Sequence, residues 1–413
     1  MRSAVEEVWR REAPHVLAAL LRRGDPLVEV EDAAQEALLA ALAQWPVEGV
    51  PDHPRGWLVR VASRRLVDAH RADTARARRE QVEASRAEAE PAGGWAGRTG
   101  DLDDSLQLLV LCCHPALSPT SAVALTLRAV AGLTTRQVAA GLLVPEATAA
   151  QRISRAKRTL RNAGATFAPV SGEQLPARLH AVRHVLHLTY TAGSTLPEGS
   201  DLLDPDLTTE AIRLTERLHR ALPRDDETTG LLALMLLVEA RAGARTDAGR
   251  LVPLGEQDRT RWDHALIDRG VALLEPVLAD GPVGPFQLQA AIAAVHATAP
   301  TFEATDWPQV LELYAMLRRV APGPAVDLGA AIARSEVEGP SAGLAALAPL
   351  LEQRPRDHRV HAARAHLLER LGDPDAASSY RRAAALTDSI PEQRHLLERA
   401  ARLESRDPGP EQV

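Results

Sequence analysis

The stretch Leu133–Gly164 reads LTTRQVAAGLLVPEATAAQRISRAKRTLRNAG and predicts two helices joined by a tight turn. Thr134 or Thr135 can cap the first helix, because a threonine hydroxyl accepts a hydrogen bond from a free N–H at a helix start. The segment Gly141–Pro145 breaks this helix, and a second one ends near Asn162, just before a glycine suited to a C-terminal cap. The pattern is typical of a helix-turn-helix.

The second helix of this stretch has two distinct faces. One is apolar and suited to a core, and it is formed by Ala149, Ile153, Ala156 and Leu160. The opposite face carries Gln151, Arg155 and Arg158, with Thr148 and Arg152 at its edge. Such a cationic face suits the phosphate-lined groove of duplex DNA. The alternative is a solvated helix end that complements the helix dipole, but the short preceding helix and the tight turn favour DNA binding.

The composition indicates a helical protein of several domains. A chain of 413 residues exceeds one ordinary core. Hydrophobic residues make up 45% and charged residues 25%, as in a globular protein, but aromatic residues make up only 3%. Alanine and leucine dominate instead, so we expect an all-α fold. The net charge of −7 does not exclude a nucleic-acid partner, because the basic residues are concentrated in particular helices.

Two adjacent cysteines, Cys112 and Cys113, precede His114 and raise the question of a metal site. Neighbouring side chains rarely close on one tetrahedral ion, and no second Cys or His pair follows at zinc-site spacing. We therefore expect buried thiols in a helix, no metal and no cofactor. Scarce cysteine, no signal peptide and no apolar run of about 18 residues predict a cytoplasmic protein with no membrane partner.

A predicted helix over residues 27–45 carries a polar face of unusual composition. Its buried stripe is formed by Val30, Ala34, Ala37, Leu38, Ala41 and Trp45. The opposite side carries Asp32, Gln35, Glu36 and Leu39. An exposed leucine among carboxylates and an amide is typical of a protein-docking face, and a purely solvated face is the alternative.

The segment PVEGVPDHP, residues 46–54, contains three prolines and a glycine and predicts a loop. A helix begins at Arg55, with an apolar face formed by Leu58, Val61, Ala62, Leu66 and Ala69. The other side of this helix carries Trp57, Arg60, Arg64 and Arg71. An aromatic ring among arginines can stack on unpaired bases while the guanidinium groups hold phosphates. The alternative is that Trp57 lies in the core and the arginines are solvated.

Residues 76–103 lack sustained periodicity and predict a mobile linker, in which Trp95 has no assigned role. From Leu175 to Leu403 the chain is a succession of amphipathic helices separated by Pro, Gly and Asp. The clearest unit is Val360–Asp388, which resembles a tetratricopeptide repeat. It has two helices around a Gly-Asp-Pro turn, and its packing positions are Ala376, Tyr380 and Ala384.

The sequence EQDRTRWD, residues 256–263, concentrates charge around an aromatic ring, in Asp258, Arg259, Arg261, Trp262 and Asp263. An internal ion-pair network is favoured over an enzyme site, because no nucleophile–base pair, phosphate loop or metal spacing accompanies it. Acidic and polar residues exceed basic ones through much of this half, which argues against a second DNA-binding surface. A protein or a small ligand is the candidate partner of this half.

Three of these stretches together resemble a bacterial RNA polymerase sigma factor of the extracytoplasmic-function type, in the sigma-70 family. They are EDAAQEALLAALAQWP (Glu31–Pro46), HPRGWLVRVASRRLVDAHR (His53–Arg71) and LTTRQVAAGLLVPEATAAQRISRAKRTLR (Leu133–Arg161). The resemblance implies binding of core RNA polymerase by Asp32, Gln35, Glu36 and Leu39 in region 2. It implies binding of the minus-ten promoter element by Trp57, Arg60, Arg64 and Arg71. It implies reading of the minus-thirty-five element by Thr148, Gln151, Arg152, Arg155 and Arg158 in region 4.

The whole chain resembles the subgroup of these sigma factors that has a long C-terminal extension with tetratricopeptide-like repeats. The segments that carry this likeness are Leu111–Pro119, Leu231–Arg245, Leu254–Ile267, Gly284–Ala297 and Thr305–Leu317. The implied all-α organisation has region 2 at 1–75, a linker at 76–103, region 4 at 104–166 and a helical-repeat extension at 175–405. Two departures stand out: TYTAGST (Thr189–Thr195) replaces an Asn-Glu-Gly-Tyr-like motif, and the family's asparagine near Leu328 and Gly329 is missing.

These expectations describe a non-enzymatic sigma factor that directs core polymerase to promoter DNA and is regulated in cis by its extension. One alternative is a repeat-scaffold helix-turn-helix regulator that binds duplex DNA and never binds core polymerase. It predicts no role for Asp32, Gln35, Glu36, Leu39, Trp57 or Arg64. A second alternative is an enzyme in the C-terminal half, which requires a pocket with a strongly shifted carboxylate or histidine.

Overall fold

The computed structural model describes residues 2–80, 104–142, 144–167, 172, 174–195, 198–199, 203–247, 249–279 and 281–406. The chain divides into two compact units, Met1–Leu188 and Thr189–Val413. Within the described residues the regular structure consists of eighteen α-helices, short 3-10 turns and four strands of two residues each. The expected all-α fold is confirmed.

The first unit begins with three helices, α1 (Arg2–Leu21), α2 (Leu27–Glu48) and α3 (Pro54–Glu80). Helix α1 packs against both of the others. The predicted stripe of α2 is buried throughout, from Val30 to Trp45. On α3 the described apolar positions Leu58, Ala62 and Leu66 are buried against it. Burial of these stripes stabilises the bundle, because each fully buried aliphatic side chain contributes about 1.5–3 kcal/mol.

The prediction of a loop from residue 46 is wrong for its first residues, because α2 continues through Pro46 to Glu48. A proline removes one backbone donor, and so close to the helix end this loss does not stop the last turn. The helix ends at Gly49, which adopts φ +87° and donates its N–H to the carbonyl of Trp45. Only glycine adopts this backbone conformation without strain, so Gly49 rather than Pro46 terminates the helix.

Helix α3 reaches Glu80, five residues beyond the predicted end of region 2 at residue 75. The rest of the predicted linker, with Trp95, lies outside the described residues. Five further helices follow: α4 (Asp104–Cys112), α5 (Pro119–Ala129), α6 (Thr135–Gly141), α7 (Glu146–Asn162) and α8 (Leu175–Ser194). Helix α7 packs on α5 and α6, and α4 packs on α1. The two cysteines at the end of α4 are free and buried, as expected.

The second unit is an array of helix pairs. Its helices are α9 (Pro205–Ala221), α10 (Asp226–Glu239), α11 (His264–Ala279), α12 (Pro285–Thr298), α13 (Trp307–Val320), α14 (Pro324–Glu338), α15 (Pro340–Gln353), α16 (His358–Leu371), α17 (Asp375–Ala384) and α18 (Ile390–Arg406). Consecutive helices pack on each other, and α10 also packs closely on α12, so apolar clusters follow one another along the array. The predicted repeat at Val360–Asp388 is confirmed as α16 and α17, with Ala376, Tyr380 and Ala384 buried between them.

Short strands connect the two ends of this unit. Strand β1 (Glu198–Gly199) pairs in parallel with β4 (Asp388–Ser389), and β2 (Thr246–Asp247) forms a hairpin with β3 (Arg250–Leu251). Helix α18 packs on β3, and Arg250 forms an ion pair with Glu398 of α18 at 3.0 Å. The last helix therefore contacts the early part of its own unit, unlike an open solenoid in which each repeat contacts only its neighbours.

Candidate functional site

Helices α6 and α7 form the predicted helix-turn-helix, and α5 packs against both. Thr134 caps α6 through a reciprocal pair of hydrogen bonds with Gln137: the Thr134 hydroxyl accepts from the Gln137 N–H at 3.1 Å, and the Gln137 side chain accepts from the Thr134 N–H at 2.9 Å. The predicted apolar stripe of α7 is confirmed, since all four of its residues, from Ala149 to Leu160, are buried. This burial fixes which side of α7 faces solvent.

The solvent side of α7 presents the predicted cationic surface. Gln151, Arg155 and Arg158 are exposed, and Thr148 and Arg152 are half-buried at its edge. The only acidic residue of α7 is Glu146, in its first turn. A helix with arginines on its exposed face and an apolar stripe on its buried face has the form that enters a major groove.

The predicted docking face lies on the open side of α2. Asp32, Glu36 and Leu39 are exposed, with 59% of Leu39 accessible to solvent, and Gln35 is half-buried. Glu36 lies 3.9 Å from Arg65 of α3, in an exposed ion pair that contributes little to stability. A leucine of this exposure, flanked by acidic groups, is available to an apolar pocket with basic surroundings.

Helix α3 carries its arginines outward, with Arg60, Arg64 and Arg71 all exposed. Trp57 is half-buried and packs edge-on against Trp45, with ring centres 5.3 Å apart. One side of the Trp57 ring therefore joins the core, and the other side reaches solvent, where it is accessible to a ligand.

The start of α3 is held by an ion pair between Arg55 and Glu12 of α1, at 2.7 Å. Burial alone raises the pKa of Glu12, but hydrogen bonds from Arg55 and Arg11 outweigh it and leave this pKa below its usual value. The charged Glu12 thus anchors the turn that carries Trp57.

A buried carboxylate joins α2 to the helix-turn-helix. Glu31 of α2, whose side chain is 5% exposed, accepts a hydrogen bond from Arg128 of α5 at 2.8 Å and forms a short ion pair with Lys157 of α7. Arg128 also donates to the carbonyl of Leu133 at 2.8 Å. Burial lowers the pKa of Lys157 to about 8 and also lowers that of Arg128, so both cations depend on the Glu31 carboxylate for compensation.

This contact brings two of the predicted surfaces together. Asp32 and Gln35 of the docking face and Arg158 of the cationic face line one crevice of about 490 Å³ between α2 and α7. Lys157 also lies 3.9 Å from Asp32. The arginines of α3 do not line this crevice. Sequence reasoning missed Glu31 and Lys157, although a carboxylate beside Val30 on a buried stripe was a usable signal that a cation lies opposite.

The charged cluster at residues 258–263 is not the ion-pair network that was expected. Arg259 donates to the carbonyls of His296 and Ala299, each at 2.6 Å, and its guanidinium lies 4.4 Å from the ring centre of Trp262. Asp258 caps a 3-10 turn by accepting from the Thr260 N–H at 2.9 Å. The free carbonyls at the end of α12 attract the guanidinium, so backbone groups take the place of carboxylates.

The two departures from the family pattern lie at packed positions of the second unit. Within Thr189–Thr195, Tyr190 donates to Glu239 at 3.0 Å, and Arg245 donates to the Thr195 hydroxyl at 2.9 Å. Gly329 lies against the ring of Tyr314, where an added Cβ would come within 2.4 Å of the phenol oxygen. The glycine therefore permits the close approach of α13 and α14.

Two helices have cationic outer faces, α3 and α7, and α7 belongs to a helix-turn-helix, so the fold and these surfaces define a helical DNA-binding protein. The chain matches the family models of Sigma-70 region 2 over residues 8–76 and Sigma-70, region 4 over residues 107–160. A third match, over residues 178–278, is to a family of unknown function (DUF6596). The chain belongs to the sigma-70 family of RNA polymerase sigma factors and carries a C-terminal extension.

One relative is similar in sequence along nearly the whole chain. An uncharacterized protein of Rhizobium meliloti (strain 1021) is 38% identical over 395 residues, which cover 93% of this chain and 92% of that protein. No solved structure is significantly similar. Regions 2 and 4 support promoter recognition and transcription initiation, through binding of core RNA polymerase and promoter DNA, and the family is not a class of enzymes. No helix in the described part of the chain is long and apolar enough to cross a membrane.

Proposed function

We propose that this sigma factor uses three separate surfaces of its first unit. The docking face binds core polymerase through Asp32, Gln35, Glu36 and Leu39. The outer side of α3 binds the minus-ten element through Trp57, Arg60, Arg64 and Arg71. The outer side of α7 reads the minus-thirty-five element through Thr148, Gln151, Arg152, Arg155 and Arg158. The observation that carries the proposal is the solvent exposure of an arginine-rich face on α7 above a fully buried stripe.

Promoter opening by these surfaces requires no covalent chemistry from the chain. Arg155 and Arg158 of α7 bind phosphates and orient the helix. Gln151 and Arg152 have the amide and guanidinium groups that read base edges in the major groove. On α3, the exposed side of Trp57 stacks on bases that transiently unpair, while the neighbouring arginines hold the single strand. Stacking and phosphate contacts offset the lost pairing and trap the open form.

The contact of Glu31 with Arg128 and Lys157 belongs, in this proposal, to a closed resting form. The minus-ten and minus-thirty-five elements are named for their positions and so lie about 25 base pairs apart. This separation is about 85 Å along the duplex. Helices α2 and α7 are instead joined through a shared ion pair. Regions 2 and 4 must therefore separate before both elements are read. The separation uncovers the half-buried Gln35 and removes α7 from beside Asp32, so that core polymerase can reach the whole docking face.

The C-terminal extension regulates this sigma factor in cis, in response to a protein or small ligand. Its helical array forms a compact unit of its own, which supports a role separate from DNA binding. Its excess of acidic over basic residues makes it a poor competitor for phosphates and a suitable binder of other partners.

Reconstituted transcription tests both parts of the proposal. Core polymerase is supplied with the full chain or with a chain ending at Ser194, the last residue of α8, on templates selected from genomic sites that the sigma factor and polymerase occupy together. Specific initiation by either form supports the sigma function, and initiation by neither form refutes it. A changed rate for the truncated form, in either direction, supports regulation in cis, whereas equal rates for the two forms exclude it.

A further inference from the structure

The second unit contains a cavity that the promoter function does not use. Its volume is about 380 Å³, within the range of small-molecule sites, and it lies among α10, α12, α13 and α14. The walls are largely apolar and include Leu237, Ile292, Leu317 and Val326. At about 30 Å³ for each water, the volume corresponds to roughly a dozen water molecules, or to a ligand with a similar number of non-hydrogen atoms.

One end of the cavity carries an unpaired cation. Arg241, just after α10, lines the cavity and is half-buried, and its guanidinium makes no hydrogen bond or ion pair with any described residue. Among the described residues that line the cavity there is no Asp or Glu. Burial, helped by the nearby Arg245 and Arg259, lowers the pKa of Arg241 to about 10, so it remains charged at neutral pH. A half-buried cation without a counter-ion is costly, and an anion that enters the cavity removes this cost.

Two further polar groups in the wall have unused hydrogen-bonding capacity. His296 and Trp262 both line the cavity, and each has a buried ring nitrogen, Nδ1 and Nε1 respectively, without a partner among the described residues. Burial, together with the nearby Arg241 and Arg259, lowers the pKa of His296 to about 4, so the imidazole is neutral at neutral pH. A neutral imidazole offers one donor and one acceptor, and the indole offers a donor. These groups can orient a ligand that Arg241 holds.

Tyr314 forms part of the cavity wall. Its ring lines the space and lies against Gly329 of α14, the position near which the family's asparagine was expected. A larger residue at 329 would displace the phenol, because a Cβ there would come within 2.4 Å of its oxygen. The flat, apolar wall formed in this way suits a planar or extended ligand body.

We propose that this cavity binds a small organic carboxylate, with its carboxyl group on Arg241 and an apolar body of about a dozen non-hydrogen atoms along the α12 and α13 walls. This inference rests on the proposed regulation by the extension and names the chemical class of its ligand.

Calorimetric titration of the full chain with cinnamate, octanoate and the neutral amide cinnamamide tests the site. At least one of the two carboxylates binds with a Kd of about 0.1–1 mM, and cinnamamide binds at least tenfold more weakly than cinnamate. Arg241→Gln weakens carboxylate binding about 10- to 100-fold, because it removes a charge-assisted hydrogen bond. Arg241→Lys retains part of the affinity. Arg224→Gln is the matched control, because Arg224 is exposed and does not line the cavity.

A cavity-filling variant tests the site independently of whether the arginine variants fold correctly. Ala293→Phe keeps Arg241 but occupies the space beside it, so carboxylate binding is lost while far-ultraviolet circular dichroism is unchanged. Three results would each overturn the proposal. They are no binding of either carboxylate at 5 mM, binding of cinnamamide as tight as that of cinnamate, and unchanged carboxylate binding by both Ala293→Phe and Arg241→Gln. Adding the bound carboxylate to the transcription assay separates the two claims: binding with no change in rate keeps the site and excludes its regulatory role.

Discussion

Replacing Glu31 with glutamine should open the contact between regions 2 and 4. The carboxylate is almost fully buried and faces two cations whose side chains are only 9% (Arg128) and 12% (Lys157) exposed. Removal of one partner from a buried ion pair costs about 3–5 kcal/mol, because the other charge remains desolvated. The lower end applies here, since Arg128 keeps the Leu133 carbonyl and Lys157 lies near Asp32. We therefore expect about 3 kcal/mol.

A change of about 3 kcal/mol shifts the closed-to-open equilibrium by about 150-fold. A chain that is about 99% closed would become about 60% open, and its apparent affinity for core polymerase would rise about 60-fold. Lys157→Met removes the same ion pair from the side of α7, so it should also increase the open fraction and the affinity for core polymerase. Glu48→Gln is the matched control, because Glu48 is an exposed acidic residue on the same helix.

Fluorescence energy transfer measures the opening directly. Donor and acceptor are attached to cysteines introduced at the exposed positions Ala43 on α2 and Asn162 on α7, while the native cysteines remain buried. Glu31→Gln should lower the transfer efficiency and raise core affinity, and Glu48→Gln should change neither. The reasoning fails if Glu31→Gln and Lys157→Met both keep the transfer efficiency and the core affinity of the unmodified chain within twofold.

Three further outcomes are expected. Glu36→Arg combined with Leu39→Ala should weaken core binding at least tenfold without changing the helical content, as measured by pull-down and circular dichroism; unchanged binding would contradict the docking face. Arg155→Ala should reduce affinity for a minus-thirty-five duplex about tenfold and lower the salt dependence by about one counterion, measured by fluorescence anisotropy, and an unchanged salt slope would show that this residue contacts no phosphate. Cys112 and Cys113 should resist a thiol-specific reagent at pH 8 until the chain is unfolded, since burial raises the pKa of Cys113 to about 12; rapid labelling of the folded chain would contradict their burial.

Features that depend on helical periodicity could be read from the amino-acid order alone. Side chains three or four residues apart share one face of a helix, so the buried stripe of α7 and the exposed Leu39 follow from spacing. The cap at Thr134 was predictable for the same reason, because it involves residues within one turn. The ends of helices were harder to predict from the sequence. Helix α2 continues through Pro46 and ends at Gly49, because the backbone conformation of that glycine stops it.

Contacts between distant segments depended on how the helices pack. Glu31 meets Arg128 and Lys157 across 97 and 126 residues of chain, and spacing within α2 contains no information about which cation lies opposite. The cavity likewise combines Arg241, His296 and Tyr314 from three separate segments, and only packing leaves this arginine without a carboxylate. The order of residues thus determined which faces of each helix are apolar, cationic or acidic. The tertiary structure decided which faces meet. The energy of a buried charge depends on its neighbours in space, and these can come from any part of the chain.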